Sequence, residues 1–212
     1  MSELISKLES APVVPLVQTA DPDTAVAIAR ALAAGGLTVI EVVLRTDNSL
    51  AGIQAIAEQV PEAIVGAGTV IAPGQAKEAV AAGSKFIVSP GFDEGVLDVA
   101  KQADVPLLPG IMTPTELTCA SNLGLDIVKF FPASIAGGVP ALKALSSVFR
   151  HMRFMPTGGV SAGNLAEYLS LPAVLACGGS WLTPADAVST GQYDVITRLA
   201  DEALTIASVV RA

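Results

Sequence analysis

Short apolar runs rich in Val, Ile and Leu alternate along the chain with Ala-rich stretches, recurring about every twenty to twenty-five residues, the rhythm of repeated βα units. The runs predict strands at 13–17, 39–44, 64–67, 86–89, 106–108, 126–130, 153–155 and 174–177. Helix-start signals fall between them. Pro22 follows Asp21, Pro73 stands near a first turn, and Asp93 precedes Glu94. Thr113-Pro114-Thr115-Glu116 reads as a capping box with proline at the first helical position. Thr183-Pro184-Ala185-Asp186 is a weaker start of the same kind.

Eight βα units whose strands are apolar enough to be buried on both faces predict an α/β protein, a closed (β/α)8 TIM barrel occupying 1–212 as a single domain. An open doubly wound sheet is the alternative. It calls for a Gly-rich dinucleotide fingerprint after the first strand, and Gln18-Thr19-Ala20-Asp21 is not one. Leu4, Ile5 and Leu8 have helical spacing and predict an N-terminal helix that plugs the N-terminal end of the barrel. Several later helices are apolar on more than one face, which points to an oligomer.

The chain has 212 residues, 51% of them hydrophobic, and a formal net charge of -8. That supports a sizeable core and argues against a nucleic-acid partner, since no Lys/Arg cluster is present to neutralise successive phosphates. The start of the chain has no basic, apolar leader, and the apolar runs are too short to span a bilayer, so a cytoplasmic protein without a membrane partner is expected. Cys119 and Cys177, in a helical and a strand segment, are expected to be buried, reduced thiols. With a single histidine, His151, in a loop before a strand, the chemistry is expected to need neither metal nor cofactor.

In a barrel of this kind functional residues lie at the C-terminal ends of strands. Lys85 begins its strand and Lys143 falls in a helix, whereas Lys129 ends the run 125–129. Burial disfavours the ammonium form, so Lys129 is a candidate amine nucleophile for Schiff-base chemistry; the bland reading is a lysine that snorkels to solvent. A free lysine is neutral in only about one molecule in 2,500 at pH 7, so activation is required. Glu41 and Arg45 stand four apart on the second run, which puts both inside the barrel, separated by roughly 13 Å if the strand stays extended. A carboxylate beside a buried amine can shuttle protons, and a guanidinium near the rim can clamp a carboxylate. A charge pair that only satisfies burial is the alternative.

Small residues in 65–70 let the backbone and the Thr69 hydroxyl approach a ligand. Pro156-Thr157-Gly158-Gly159-Val160 and Cys177-Gly178-Gly179-Ser180-Trp181 each carry a glycine pair after the seventh and eighth strands, where barrels frequently bind phosphate. Ordinary turn glycines are the alternative. Trp181 is expected to pack.

Taken together, Glu41-Val-Val-Leu-Arg45-Thr46, Gly66-Ala-Gly-Thr69, Ser89-Pro90-Gly91, Lys129-Phe-Phe-Pro-Ala133, Pro156-Thr-Gly-Gly159 and Gly178-Gly-Ser-Trp181 closely resemble the 2-keto-3-deoxy-6-phosphogluconate aldolases. The resemblance runs from about Val13 to Trp181. It implies a class I aldolase, commonly trimeric, that cleaves the phosphorylated keto acid to pyruvate and glyceraldehyde 3-phosphate; some members also cleave 4-hydroxy-2-oxoglutarate.

The resemblance further implies Lys129 as the imine-forming lysine and Glu41 as general acid/base. It places Arg45, Thr69 and Pro90 around the pyruvate carboxylate, Thr157 on a substrate hydroxyl, and Gly158, Gly159, Gly179 and Ser180 at the phosphate end. In the related 6-phosphogalactonate aldolases the position of Thr157 tends to be apolar, so the gluconate-derived substrate is favoured. One departure from the pattern is the absence of a basic residue at the end of the first strand, 15–21. A phosphosugar isomerase or epimerase, or a phosphometabolite-binding protein, on the same barrel would share the glycine turns without needing Lys129 as a nucleophile.

Overall fold

The computed structural model describes residues 2–211, so the outermost residue at each end of the expected 1–212 barrel lies outside the described residues. Along the chain run α1 (Ser2–Ser10), β1 (Val13–Val17), α2 (Pro22–Ala34), β2 (Val39–Val43), α3 (Ser49–Gln59), β3 (Ile64–Gly68), α4 (Pro73–Ala81), β4 (Ile87–Val88) and α5 (Glu94–Gln102). Then come β5 (Leu107–Leu108), β6 (Gly110–Ile111), α6 (Pro114–Asn122), β7 (Ile127–Phe130), α7 (Gly138–Val148), β8 (Arg153–Pro156), α8 (Leu165–Leu169), β9 (Cys177–Gly179), α9 (Ala185–Ser189) and α10 (Tyr193–Arg211). The helix starts follow local chemistry. Asp21 and Asp93 accept hydrogen bonds from the N–H groups of Thr24 and Val96, and Thr113 with Glu116 forms a complete capping box. The Thr183 signal behaves differently: Pro184 is the cap of α9, without a side-chain bond, and the Thr183 hydroxyl donates to Leu16 O instead.

All strand pairings are parallel. One sheet has the order β5-β4-β3-β2-β1-β9 and the other β6-β7-β8. β5 and β6 are two halves of one barrel strand interrupted at Pro109, which has no N–H to give to a ladder. Bridges between Phe154 and Val174 and between Thr157 and Gly178 join β8 to β9 and close the ring. Eight barrel staves result, as the sequence rhythm predicts.

Strand alternation sorts side chains into two layers. Val13, Ile40, Val42, Ile87, Leu107, Val128 and Phe154 pack outward against the helices. Val14, Val39, Val88, Leu108, Ile127 and Met155 turn inward, over Phe86 and the α1 residues Leu4 and Leu8. α1 therefore plugs the N-terminal end of the barrel, and the inward layer forms a dry floor. Glu41 stands one inward step beyond Val39, and Lys129 one beyond Ile127, so both charges rest on that floor.

Two expectations need correction. The last stave is Cys177–Gly179 rather than 174–177, because Val174 makes only an isolated bridge while Cys177, Gly178 and Gly179 pair with Val13, Val14 and Pro15. Cys119 is exposed on α6, whereas Cys177 is buried and both thiols are free. Burial pushes the Cys177 thiol far above its ordinary value, with Arg211 opposing that shift.

Candidate active site

Lys129 is only 4% exposed and Glu41 fully buried. Lys129 Nζ donates to Glu41 Oε1 across the barrel at 3.2 Å. Among the described residues Lys129 is the buried lysine; Lys7, Lys77, Lys85, Lys101 and Lys143 are exposed. The amine also lies over the Phe131 ring, 5.3 Å from its centroid, within cation–π distance. The carboxylate is shaped by β3, for Glu41 is level with Gly66 and its side chain leans onto Gly68, where a Cβ would overlap the carboxyl group. Glu41 Oε2 has no protein hydrogen-bond partner.

At the mouth, Arg45 Nε donates to Thr69 Oγ1 at 3.1 Å. Thr69 takes φ 61°, a left-handed conformation that a β-branched residue rarely adopts. The strained backbone of Thr69 and its bond to Arg45 couple the end of β3 to the segment after β2. The expected extended spacing of Glu41 and Arg45 on one strand does not hold: β2 ends at Val43, and Arg45 N–H bonds back to Val43 O at 2.8 Å. That tight turn re-aims the guanidinium, which is exposed at the rim. Pro90 is half-buried, and its carbonyl lies where a Cβ on Gly110 would sit; Gly110 in turn pairs with Lys129.

On the other side, Thr157 is buried and its hydroxyl fills the place of a Cβ at Gly178. Gly158 and Gly159 take φ values of +95° and +77°. Gly179 belongs to β9 rather than to a loop after it, and its bare Cα is covered by the Trp181 ring. Ser180 is exposed just beyond. A cavity of about 430 Å3 opens at the rim between the ends of β1, β2 and β9 and the start of α9; Gln18, Arg45, Ser180 and Thr183 line it beside Ala185 and Val188, and neither Lys129 nor Glu41 does. Gln18 supplies a neutral amide at the end of β1, where no basic residue stands. His151 is exposed and bonded to Ser121, ahead of β8 and away from the catalytic end.

Phe131 and Gly68 stand inside the sequence motifs without an individual role assigned there, and Gly110 lies outside them. Phe131 was within reach, since it follows Lys129 by two positions and alternation sends it to the same face. Gly68 and Gly110 carry no chemistry of their own, and their part emerges only from the side chain or carbonyl each lets approach.

An amine and a carboxylate in contact at the catalytic end of a (β/α)8 barrel place the chain among the enzymes that work through a lysine imine. The chain belongs to the KDPG and KHG aldolase family, whose model matches residues 4–199. It is 50% identical over 199 residues to the KHG/KDPG aldolase of Escherichia coli, covering 94% of this chain and 93% of that one. The fold superimposes on the KDPG aldolase of Legionella pneumophila with pyruvate captured at low pH as a covalent carbinolamine intermediate (TM-score 0.89, 40% identity, 93% of this chain and 96% of that one). It also superimposes on the Zymomonas mobilis aldolase with 3-phosphoglycerate (TM-score 0.88, 43% identity, 96% and 95% coverage).

Proposed function

We propose that the chain is a class I aldolase that cleaves 2-dehydro-3-deoxy-6-phosphogluconate to pyruvate and glyceraldehyde 3-phosphate, and also cleaves 4-hydroxy-2-oxoglutarate to pyruvate and glyoxylate. The observation that carries the reading is the buried contact of Lys129 with Glu41. Lys129 attacks the C2 keto carbon to give a carbinolamine. Protonation of its hydroxyl expels water and leaves an iminium. A base takes the proton of the C4 hydroxyl, the C3–C4 bond electrons move into the C2–C3 bond of an enamine, and the aldehyde departs. Protonation at C3 and hydrolysis then free pyruvate and restore the amine. Glu41 is the group that relays these protons, its Oε1 on the amine and its Oε2 toward the substrate.

Arg45 and Thr69 hold the keto-acid carboxylate, with Pro90 closing that pocket. Thr157 reads a substrate hydroxyl, and Gly158, Gly159, Gly179 and Ser180 receive the phosphate. Agreement between sequence motif and spatial order supports these roles, and the Escherichia coli relative named for both substrates supports the dual activity. The enzyme works as one barrel per chain within a cytoplasmic homotrimer, on a phosphorylated keto acid and without cofactor. Among the described residues no helix is long and apolar enough to cross a membrane. The test is turnover of both keto acids by purified protein and by Lys129→Ala: cleavage lost in the variant with unchanged circular dichroism supports the reading, and retained cleavage refutes it.

A further inference from the structure

The turn after β8 is held by three donors from neighbouring segments. Ala133 N–H donates to Thr157 O at 2.8 Å, Ser134 N–H to Gly158 O at 3.0 Å, and Asn164 Nδ2 to Gly159 O at 2.9 Å. Because the peptide unit is planar and trans, fixing a carbonyl aims the N–H of the next residue the opposite way. The three bonds therefore orient the N–H groups of Gly158, Gly159 and Val160. The Gly159 and Val160 N–H groups meet no protein acceptor among the described residues, whereas the Gly158 N–H faces Gly178 across the bridge that joins β8 to β9. Successive free N–H groups in such a turn form an anion-binding nest.

Only one of the three donors is a side chain. Asn164 immediately precedes α8 and makes no side-chain cap on that helix. Its Oδ1 accepts Ser161 N–H at 2.8 Å, which sets the amide so that its NH2 group faces Gly159 O. Without that bond the peptide after Gly159 is free to rotate, since Gly159 has no Cβ to resist. Rotation would replace an N–H donor by a carbonyl acceptor facing the anion.

We propose that Asn164 is a positioning residue for phosphate: by binding Gly159 O it holds the Val160 N–H in the nest that receives the phosphate monoester of the substrate. The proposal rests on the aldolase reading above only for the identity of that monoester. The test compares wild type with Asn164→Ala and with the near-isosteric Asn164→Asp, which keeps the bond from Ser161 but sets a carboxylate oxygen against Gly159 O. Inorganic phosphate binding is measured by calorimetry, and KM and kcat on the phosphorylated keto acid and on 4-hydroxy-2-oxoglutarate. Pyruvate labelling of Lys129 under borohydride is followed alongside.

Both variants should weaken phosphate binding and raise KM for the phosphorylated substrate by about tenfold, as expected for loss of one oriented donor to an anion. The unphosphorylated substrate and pyruvate labelling should change less than about twofold. Equal losses on the two substrates, unchanged phosphate affinity in a folded variant, or no phosphate binding by the wild type would each overturn the assignment. Phosphate binding is read without turnover, so a failure of the aldolase reading is seen separately.

Discussion

Lys129 and Glu41 are 88 positions apart in the chain, yet their side chains meet at 3.2 Å inside the barrel. The pair sits on an apolar floor, with Ile127 below the lysine and Val39 below the glutamate. Removing one member strands the other in a dry place, so each has a structural as well as a chemical part.

Glu41→Gln keeps the shape of the site and removes its proton carrier. Its kcat should fall by about 100-fold to 10,000-fold, with circular dichroism unchanged. A kcat within a few-fold of wild type would show that another group moves the proton.

Arg45 is exposed at the rim and joined to Thr69, so its loss should leave folding intact. Arg45→Ala removes a charged hydrogen-bond partner worth about 1.5–3 kcal/mol, and the inhibition constant of pyruvate should rise by at least tenfold. An unchanged constant would take the carboxylate away from Arg45.

Gly68→Ala places a methyl group on the Glu41 carboxyl. The carboxylate must move off the lysine or the strands must part, and either lowers activity; the same overlap should destabilise the fold by about 1–3 kcal/mol. The check is kcat together with a urea melt. An alanine variant with both at wild-type level would contradict the tight seat of Glu41.

Acid sensitivity should arise in part at the start of α6. Partial burial raises the Glu116 carboxyl, but hydrogen bonds from Met112 N–H and from the Thr113 hydroxyl and N–H outweigh it and hold the group below its ordinary value of 4.5. A depressed carboxyl stabilises the folded state above the unfolded value and stops doing so as pH falls through the folded one. Glu116→Gln should therefore lower the melting temperature at pH 7 by roughly 2 °C, and the gap to wild type should close as the pH drops below about 4.5. A gap independent of pH would remove the charge from the explanation.

Much of this was legible in the chain. β-branched runs marked the staves, capping signals at Asp21, Asp93 and Thr113 marked helix starts, and position at a strand's C-terminal end singled out Lys129. The last stave was misplaced because Val174-Leu175-Ala176 is more strand-like by composition than Cys177-Gly178-Gly179. What selects the glycines is room for the Thr157 hydroxyl and the Trp181 ring, which depends on neighbours distant in sequence. The turn that lifts Arg45 off the line of Glu41 leaves no mark in the run 39–44, because the ladder lasts as long as the apolar run, to the bond from Leu44 N–H to Gly68 O, and the fold-back of Arg45 N–H onto Val43 O comes only after it.

The central claim is that Lys129 forms an imine with a keto acid. Incubation with pyruvate and borohydride, followed by peptide mass spectrometry, reads this directly, because reduction fixes the imine on the nitrogen that made it. The account predicts one adduct, on Lys129, lost in Lys129→Ala. Folded protein that gains no adduct, or gains it on another lysine, would contradict it.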